Sequence, residues 1–160
     1  MKYLQLFLIP LFAFLLILSV TELAIAQEQD KPPLQTEVIS TDKAPKSVGP
    51  YSQAIRAGEF IFCAGQGAFD PTTGKLVDGG IKEQTRQVLR NLQAVLEAAG
   101  SGLDRTVKLT VFLSDWKYFK EMNEAYAEFF KTNPPARSTI QGERWPEGHL
   151  VAIEAIALAK

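Results

Sequence analysis

Two residues of opposite charge lie in segments where charge is unusual. Glu154 is the one ionisable residue in the apolar run 150–159, LVAIEAIALA. Burial of an unpaired carboxylate is costly, so we expect Glu154 to be paired, neutralised or facing a polar cavity. Arg137 follows Pro134-Pro135-Ala136 at the start of a β-favouring segment. Its planar, permanently charged guanidinium suits bidentate binding of a carboxylate, so the pair indicates acid–base chemistry on a small carboxylic acid.

The same pair also has a purely structural interpretation. Arg137 and Glu154 would form a salt bridge without any chemistry, because ion-pair networks perturb pKa values in proteins that catalyse nothing. The residue types alone leave both interpretations open. Strand alternation puts Arg137 and Thr139 on one face of their predicted strand.

The remaining polar motifs indicate no second catalytic centre. The chain has one cysteine and one histidine, which excludes an internal disulfide and any site built on two imidazoles, so no metal is expected. Cys63 follows apolar residues and is predicted to be a small buried hydrophobe, whereas His149 lies in a loop and is expected to be solvated. The segment 65–67, Gly-Gln-Gly, lacks the third glycine of a dinucleotide-binding fingerprint, and 70–74, DPTTG, is typical of a turn.

Composition indicates one ordinary globular domain. The 160 residues are 46% apolar and 22% charged, which is the usual balance for such a domain. Seventeen basic residues oppose eighteen acidic ones, for a formal charge of −1. No long run of either sign is present, so binding of nucleic acid is not expected.

The first 26 residues are predicted to be a signal peptide. An apolar run at 4–20 follows Lys2, and Ala24-Ile25-Ala26 gives the small-x-small pattern of a cleavage site after Ala26. We therefore expect a secreted or periplasmic protein with no membrane contact after cleavage. The alternative is an uncleaved anchor, although the run is short for about 30 Å of hydrocarbon. Residues 27–35 contain two consecutive prolines and are predicted to be a flexible lead-in to a domain at 36–160.

Within this domain the hydrophobic pattern predicts an α+β fold. Strands are predicted at 53–56, 59–64, 106–113, 136–141 and 150–159, and an amphipathic helix at 81–99. A second helix is predicted from Asp115, its cap, to the prolines at 134–135, with an aromatic stripe that packs into the core. The order β-β-α-β-α-β-β implies a mixed sheet with both helices on one face.

Several motifs in this order resemble the RidA family, also called YjgF/YER057c/UK114. The resembling segments are 49–54 (GPYSQA), 64–66 (AGQ), 70–74 (DPTTG), 84–100 with Asn91, 107–115, 123–130, 135–138 (PARS) and 153–157 (IEAIA). The resemblance implies a chorismate-mutase-like fold, a homotrimer with clefts between adjacent subunits, and no metal or organic cofactor. It also implies a hydrolase that converts 2-imino or enamine acids, such as 2-aminoacrylate, to a 2-keto acid and ammonia.

The resemblance assigns roles to individual residues. It implies that Arg137 binds the substrate carboxylate, that Glu154 activates or positions the water, and that Tyr51 lines the cleft. Thr139 stands where many members have cysteine, and Ala64-Gly65 stands where many have Ser-Gly; these positions are expected to contact substrate through the backbone. Two other functions stay open, namely a non-catalytic binder of small carboxylates such as 2-keto acids and an endoribonuclease or translation inhibitor.

Overall fold

The computed structural model of the chain describes residues 35–143 and 145–160. The predicted signal peptide, its cleavage site and most of the lead-in lie outside these residues. The strands are β1 (Thr36–Ile39), β2 (Ala54–Ala57), β3 (Phe60–Gln66), β4 (Thr106–Leu113), β5 (Ala136–Gln141) and β6 (Val151–Leu158). The helices are α1 (Ile81–Ala98) and α2 (Phe119–Tyr126).

The six strands form one mixed sheet in the order β1-β2-β3-β6-β4-β5. The β4–β5 pair is parallel and the other pairs are antiparallel. The predicted α+β class, with a mixed sheet and two helices, is confirmed. Strand β1 was not among the predicted strands. It covers only four residues, TEVI, next to a polar segment, and it pairs with β2 alone.

One face of the sheet packs against the helices and forms the core. Ile61, Leu109 and Ile153 point to this face from three neighbouring strands and are completely buried. They meet the predicted apolar stripe of α1, which includes Leu89 and Leu92, also completely buried. Full burial of each such side chain contributes about 1.5–3 kcal/mol, so this layer supplies most of the stability of the fold.

The other face of the sheet carries large apolar side chains that remain exposed in a single chain. Phe60, Phe62 and Ile140 are 42%, 45% and 48% exposed, respectively. Leu158 and Glu154 of β6 also lie on this open face and are exposed. Although the run 150–159 is apolar on both faces, one chain buries only one of them: alternate residues of β6 are buried and the others are exposed or half-buried.

The second helix is shorter than predicted. The Asp115 carboxylate accepts a hydrogen bond of 2.8 Å from the backbone N–H of Lys117 and caps a single 3-10 turn that leads into α2. After Tyr126 the backbone N–H groups of Glu128 and Phe129 donate to carbonyls three residues back, so the chain tightens into turns. None of the helices in residues 35–143 and 145–160 is long and apolar enough to cross a membrane.

Candidate functional site

A cavity of about 700 Å³ opens at the end of β3. Tyr51 and Gly65, two of the predicted site residues, lie in its wall. Phe69, Trp145 and His149 line it as well. A cavity of this size falls within the range that binds small organic ligands in other proteins.

A β-bulge places Gly65, which lines this cavity, opposite Glu154. Cys63 pairs with Ala155 and Gln66 pairs with Ile153, so Ala64 and Gly65 together lie opposite Glu154. Bulges of this kind re-aim side chains and are common beside active sites. A Cβ atom added at Gly65 would meet nothing within 4 Å, so the backbone here is open to a ligand. One chain thus brings Tyr51, Ala64, Gly65 and Glu154 to the same end of the sheet.

Glu154 itself lies on the open face in a small polar patch. It pairs in register with Thr110 of β4, which pairs in turn with Ser138 of β5. The Lys108 Nζ donates a hydrogen bond of 2.7 Å to the Ser138 hydroxyl. Lys108, Thr110 and Glu154 line a second cavity of about 170 Å³ together with apolar residues that include Phe62. Glu154 is therefore exposed in one chain, at a small cavity with both polar and apolar lining residues.

Arg137 lies on the opposite face of the sheet. It pairs with Leu109, which is buried against the helices and also pairs with Ala155. Its guanidinium carbon lies 4.7 Å from the centre of the Tyr126 ring and 5.9 Å from that of Phe119. Such cation–π contacts hold a guanidinium in one orientation. The pKa of the Tyr126 hydroxyl is raised by burial, and the charge of Arg137 opposes that increase.

The predicted site residues thus form two groups in one chain. β5 is an edge strand, separated from β6 by β4. The backbones of Arg137 and Glu154 are therefore roughly 10 Å apart, and their side chains point to opposite faces of the sheet. A salt bridge between them within one chain, the structural alternative, does not fit this geometry. Thr139 pairs with the buried Val111 and shares the face of Arg137, as strand alternation predicts. Arg137 and Thr139 are therefore separate from the cavity that Tyr51 and Gly65 line.

Buried polar residues of α1 hold the two loops around the cavity. The Asn91 side-chain amide donates hydrogen bonds of 3.0 and 2.9 Å to the carbonyls of Gly67 and Phe69. The Gln84 side chain donates to the Gly148 carbonyl at 2.8 Å and accepts from the Leu150 N–H at 2.9 Å. Sequence reasoning assigned no role to Gln84. The available signal was a polar residue on the otherwise apolar stripe of a helix.

Three further predictions concern residues near the cavity. His149 is half-buried and not fully solvated, because its ring packs edge-on against Phe69 at 4.9 Å. Cys63 is buried as predicted, and burial raises the pKa of its thiol to about 12. The turn at 70–74 is present, with the Asp70 carboxylate accepting from the N–H groups of Thr72 and Thr73. Across residues 35–143 and 145–160, the His, Cys, Asp and Glu side chains form no group that could hold a metal ion.

Comparison with known proteins identifies the family of the chain. The model of the family described as endoribonuclease L-PSP matches residues 41–159. A RutC family protein, PH0854 of Pyrococcus horikoshii, is 55% identical over 121 residues, which cover 76% of this chain and 96% of that protein. Human 2-iminobutanoate/2-iminopropanoate deaminase is 45% identical over 121 residues, which cover 76% of this chain and 88% of that protein.

A solved structure extends the similarity to three dimensions. The crystal structure of E. coli TdcF with bound serine superimposes with a TM-score of 0.73 at 35% sequence identity, covering 78% of this chain and 99% of that chain. The predicted fold is therefore the fold of this family. The chain belongs to the endoribonuclease L-PSP family, which is the RidA family that its motifs resemble.

Proposed function

We propose that the protein is a hydrolytic deaminase of 2-imino acids and their enamine tautomers, such as 2-aminoacrylate, and releases a 2-keto acid and ammonia. The observation that carries the proposal is the position of Glu154. Glu154 lies opposite the Ala64–Gly65 bulge and lines the small cavity of the open face, while Gly65 and Ala152 line the large cavity. The human relative at 45% identity is named for the same reaction.

The active unit in this proposal is a homotrimer whose sites lie between adjacent subunits. The exposed apolar side chains of the open face support an assembly, because an apolar patch of this kind is typical of an interaction surface. Arg137 and Thr139 lie on the edge strand β5, which is able to approach the cavity of another copy. One subunit would then supply Tyr51, Gly65 and Glu154, and its neighbour would supply Arg137.

The division of labour follows from the chemistry of each group. Arg137, held flat on Tyr126, would bind the substrate carboxylate through two parallel hydrogen bonds. The imine carbon would then face a water molecule next to Glu154. Glu154 would remove a proton from that water as its oxygen bonds to the carbon, which gives a carbinolamine. The same carboxyl would pass this proton to the former imine nitrogen, which becomes an amino group. It would then carry the proton of the new hydroxyl to that amino group, so that the C–N bond breaks, ammonia leaves and the C=O bond forms.

The acceleration that this arrangement must supply is modest. Imines hydrolyse readily in water, so positioning and one acid–base group, each able to contribute factors of about 10² to 10⁴, are sufficient. The neighbouring backbone at Gly65 would contact the substrate without a side chain in the way. Thr139 would contribute its backbone, so a cysteine is not required at that position.

A subunit-mixing experiment tests both the reaction and the shared site. Arg137→Ala and Glu154→Gln should each lose most of the 2-aminoacrylate hydrolysis of the parent protein. When the two variants are unfolded together and refolded, random mixing should restore intact sites in about a quarter of the clefts. Each variant refolded alone is the matched control. Full activity in either single variant would contradict the catalytic roles, and no recovery on mixing would contradict a site shared between subunits.

A non-catalytic binder of small carboxylates is the second candidate, since serine is bound in the TdcF crystal structure. The two candidates share Arg137 and differ at Glu154. A pure binder would bind pyruvate in calorimetry yet would not accelerate hydrolysis of any imino acid. The family description favours testing ribonuclease activity as well. However, a net charge of −1 gives little attraction for RNA phosphates, so we expect no cleavage above that of the Glu154→Gln variant.

We also propose that the protein is exported after cleavage of residues 1–26. The support is the sequence pattern alone, an apolar run followed by Ala24-Ile25-Ala26. The intact mass of the protein isolated from its native cell should be that of a chain that begins at Gln27. A mass that includes Met1 would contradict cleavage.

A further inference from the structure

The large cavity extends well beyond what a three-carbon substrate fills. A molecule of 2-aminoacrylate has six non-hydrogen atoms, which occupy roughly 180 Å³ if each takes the 30 Å³ share of a water molecule. The cavity measures about 700 Å³. The imino acid derived from phenylalanine, with twelve such atoms, would occupy roughly 360 Å³ on the same basis. There is therefore room for a substantial side chain on the substrate.

The cavity has an aromatic wall, formed by Phe69, Trp145 and His149. Phe69 and His149 pack edge-on, with ring centres 4.9 Å apart. Ala152 lines the same cavity and precedes Glu154 by two residues on the same face of β6, which is a spacing of about 7 Å along the strand. A substrate whose C=N bond lies beside Glu154 would thus direct its side chain towards the aromatic wall.

The wall is held in place from outside the cavity. The Trp145 ring lies directly on Gly142, where an added Cβ atom would come within 2.6 Å of the indole nitrogen. Gln84 fixes the other end of the loop through its two hydrogen bonds to Gly148 and Leu150. Asn91 fixes the loop that carries Phe69. A wall fixed in this way selects ligands by shape, because it pays little ordering cost when a ligand binds.

We propose that the aromatic wall of Phe69, Trp145 and His149 is a specificity site that selects 2-imino acids with bulky apolar or aromatic side chains. This inference rests on the proposed deaminase function. Aromatic pairs contribute about 0.5–1.5 kcal/mol beyond the burial of apolar area. Contacts of this strength with the wall would raise kcat/KM only for substrates with a large side chain. Small imino acids have no large side chain to contact the wall, so its loss should affect their hydrolysis much less.

The test compares two imino acids generated in solution by an amino-acid oxidase, one from phenylalanine and one from alanine. For the parent protein, kcat/KM should be about tenfold or more higher for the phenylalanine product. Trp145→Ala should reduce that value about tenfold and reduce the value for the alanine product much less. Trp145→Phe keeps an aromatic ring and is the matched control. Gly142→Ala, which displaces the Trp145 ring without touching the ligand, should act in the same direction as Trp145→Ala.

The outcomes separate the two proposals. Hydrolysis of the alanine product with no preference for the phenylalanine product would overturn the specificity site and leave the deaminase function intact. An equal loss for both substrates in Trp145→Ala would also overturn it, because the tryptophan would then support the fold of the whole site. Failure to accelerate either hydrolysis would overturn the deaminase function itself.

Discussion

The two faces of the sheet use alternate residues of the same strands, but a single chain covers only one of them. In β3, Ile61 points to the helices and is completely buried, whereas its neighbour Phe62 is 45% exposed on the open face. In β6, Ile153 is completely buried and the adjacent Glu154 is exposed. The side chains of the helix-covered face are already buried as a core in a single chain. The open face combines exposed apolar side chains with the one acid proposed for catalysis.

This difference explains why the two charged candidate residues are found apart. Arg137 lies on the helix-covered side, where Tyr126 and Phe119 hold its guanidinium. Glu154 lies on the open side, next to the cavity at the bulge of β3. A site that needs both groups must therefore lie between two copies, where the covered side of one chain meets the open side of the other.

Thiol chemistry should distinguish the two faces most strongly. Burial raises the pKa of Cys63 to about 12, so its thiolate fraction near pH 8 should be about 10³-fold below that of a free thiol. A chromogenic disulfide reagent should modify Cys63 only after unfolding. A cysteine placed at the next position, as Phe62→Cys in a Cys63→Ala background, should react rapidly in dissociated subunits. Equal rates at the two positions would contradict the assignment of faces.

The same thiol also predicts a pH dependence of stability. The folded state holds the Cys63 proton more tightly than the unfolded state, because the pKa of the thiol is about 12 in the fold and has its ordinary value of 9.0 in the unfolded chain. Between these values the unfolded chain binds fewer protons, so the free energy of unfolding must fall as pH rises from about 9 to 12. Urea titrations across this range should show the fall, and Cys63→Ala should reduce it. An unchanged slope in the variant would assign the effect to other groups.

Truncation of adjacent β3 residues should separate folding from assembly. Ile61→Ala leaves a cavity in the core and should lower the free energy of unfolding by about 2–5 kcal/mol. Phe62→Ala removes a side chain that is half-exposed in one chain, so its main effect should be weaker association of subunits. Denaturant titration and sedimentation velocity measure the two effects. If Phe62→Ala destabilises the fold as much as Ile61→Ala and leaves the oligomeric state unchanged, the open face is not an interface.

Much of the covered face was predictable from the sequence, because the spacing of apolar residues along each helix and strand shows which residues face the core. The stripe of α1 recurs at helical spacing and gives the helix to within one residue of its end at Ala98. The strand from Thr106 to Leu113 agrees at both ends. In contrast, the aromatic spacing after Asp115 continues through turns, so the pattern predicts a longer helix than α2. The four residues of β1 carry too little periodicity to be recognised.

The candidate site was predictable by residue type but not by geometry. The sequence distinguishes Glu154 as a lone charge in an apolar run, and it cannot say that one of the two apolar faces stays open. That depends on which distant elements cover the sheet. Similarly, the cation–π contact of Arg137 with Tyr126 joins β5 to α2, and nothing local to either segment indicates it. The wall at Trp145 and His149 is formed by a loop, where pattern gives no guide to side-chain position.

The aromatic support of Arg137 should affect carboxylate binding by a smaller amount. Tyr126→Leu removes the closer cation–π partner, worth about 0.5–2 kcal/mol, so pyruvate binding or KM should weaken by about two- to thirtyfold. Tyr126→Phe retains the ring and should bind within about twofold of the parent. Calorimetry with pyruvate measures the change even if the protein is a binder alone. Equal weakening in both variants would contradict a role for the ring, and would assign the effect to the hydroxyl.

The ion pairs on the outer surface of the helices should matter least. Arg86 Nε and Nη2 donate to the two carboxylate oxygens of Glu128 at 2.8 and 2.7 Å, next to the end of α2. The pKa of Glu128 is lowered, chiefly by this hydrogen bonding. Because the Glu128 side chain is 47% exposed, the pair is largely screened by water, and Arg86→Lys should lower the free energy of unfolding far less than Ile61→Ala does.

The pH dependence of that small effect supplies its control. A carboxylate whose pKa is lowered in the fold stabilises the protein above its unfolded pKa, and the stabilisation is lost as pH falls through the folded value. The difference between Arg86→Lys and the parent should therefore be present near pH 7 and disappear in acid, once Glu128 is protonated. The Glu128→Gln variant should show little further loss when Arg86→Lys is added. A loss near pH 7 comparable to that of Ile61→Ala would mean that ion pairing, and not apolar packing, holds the helices on the covered face.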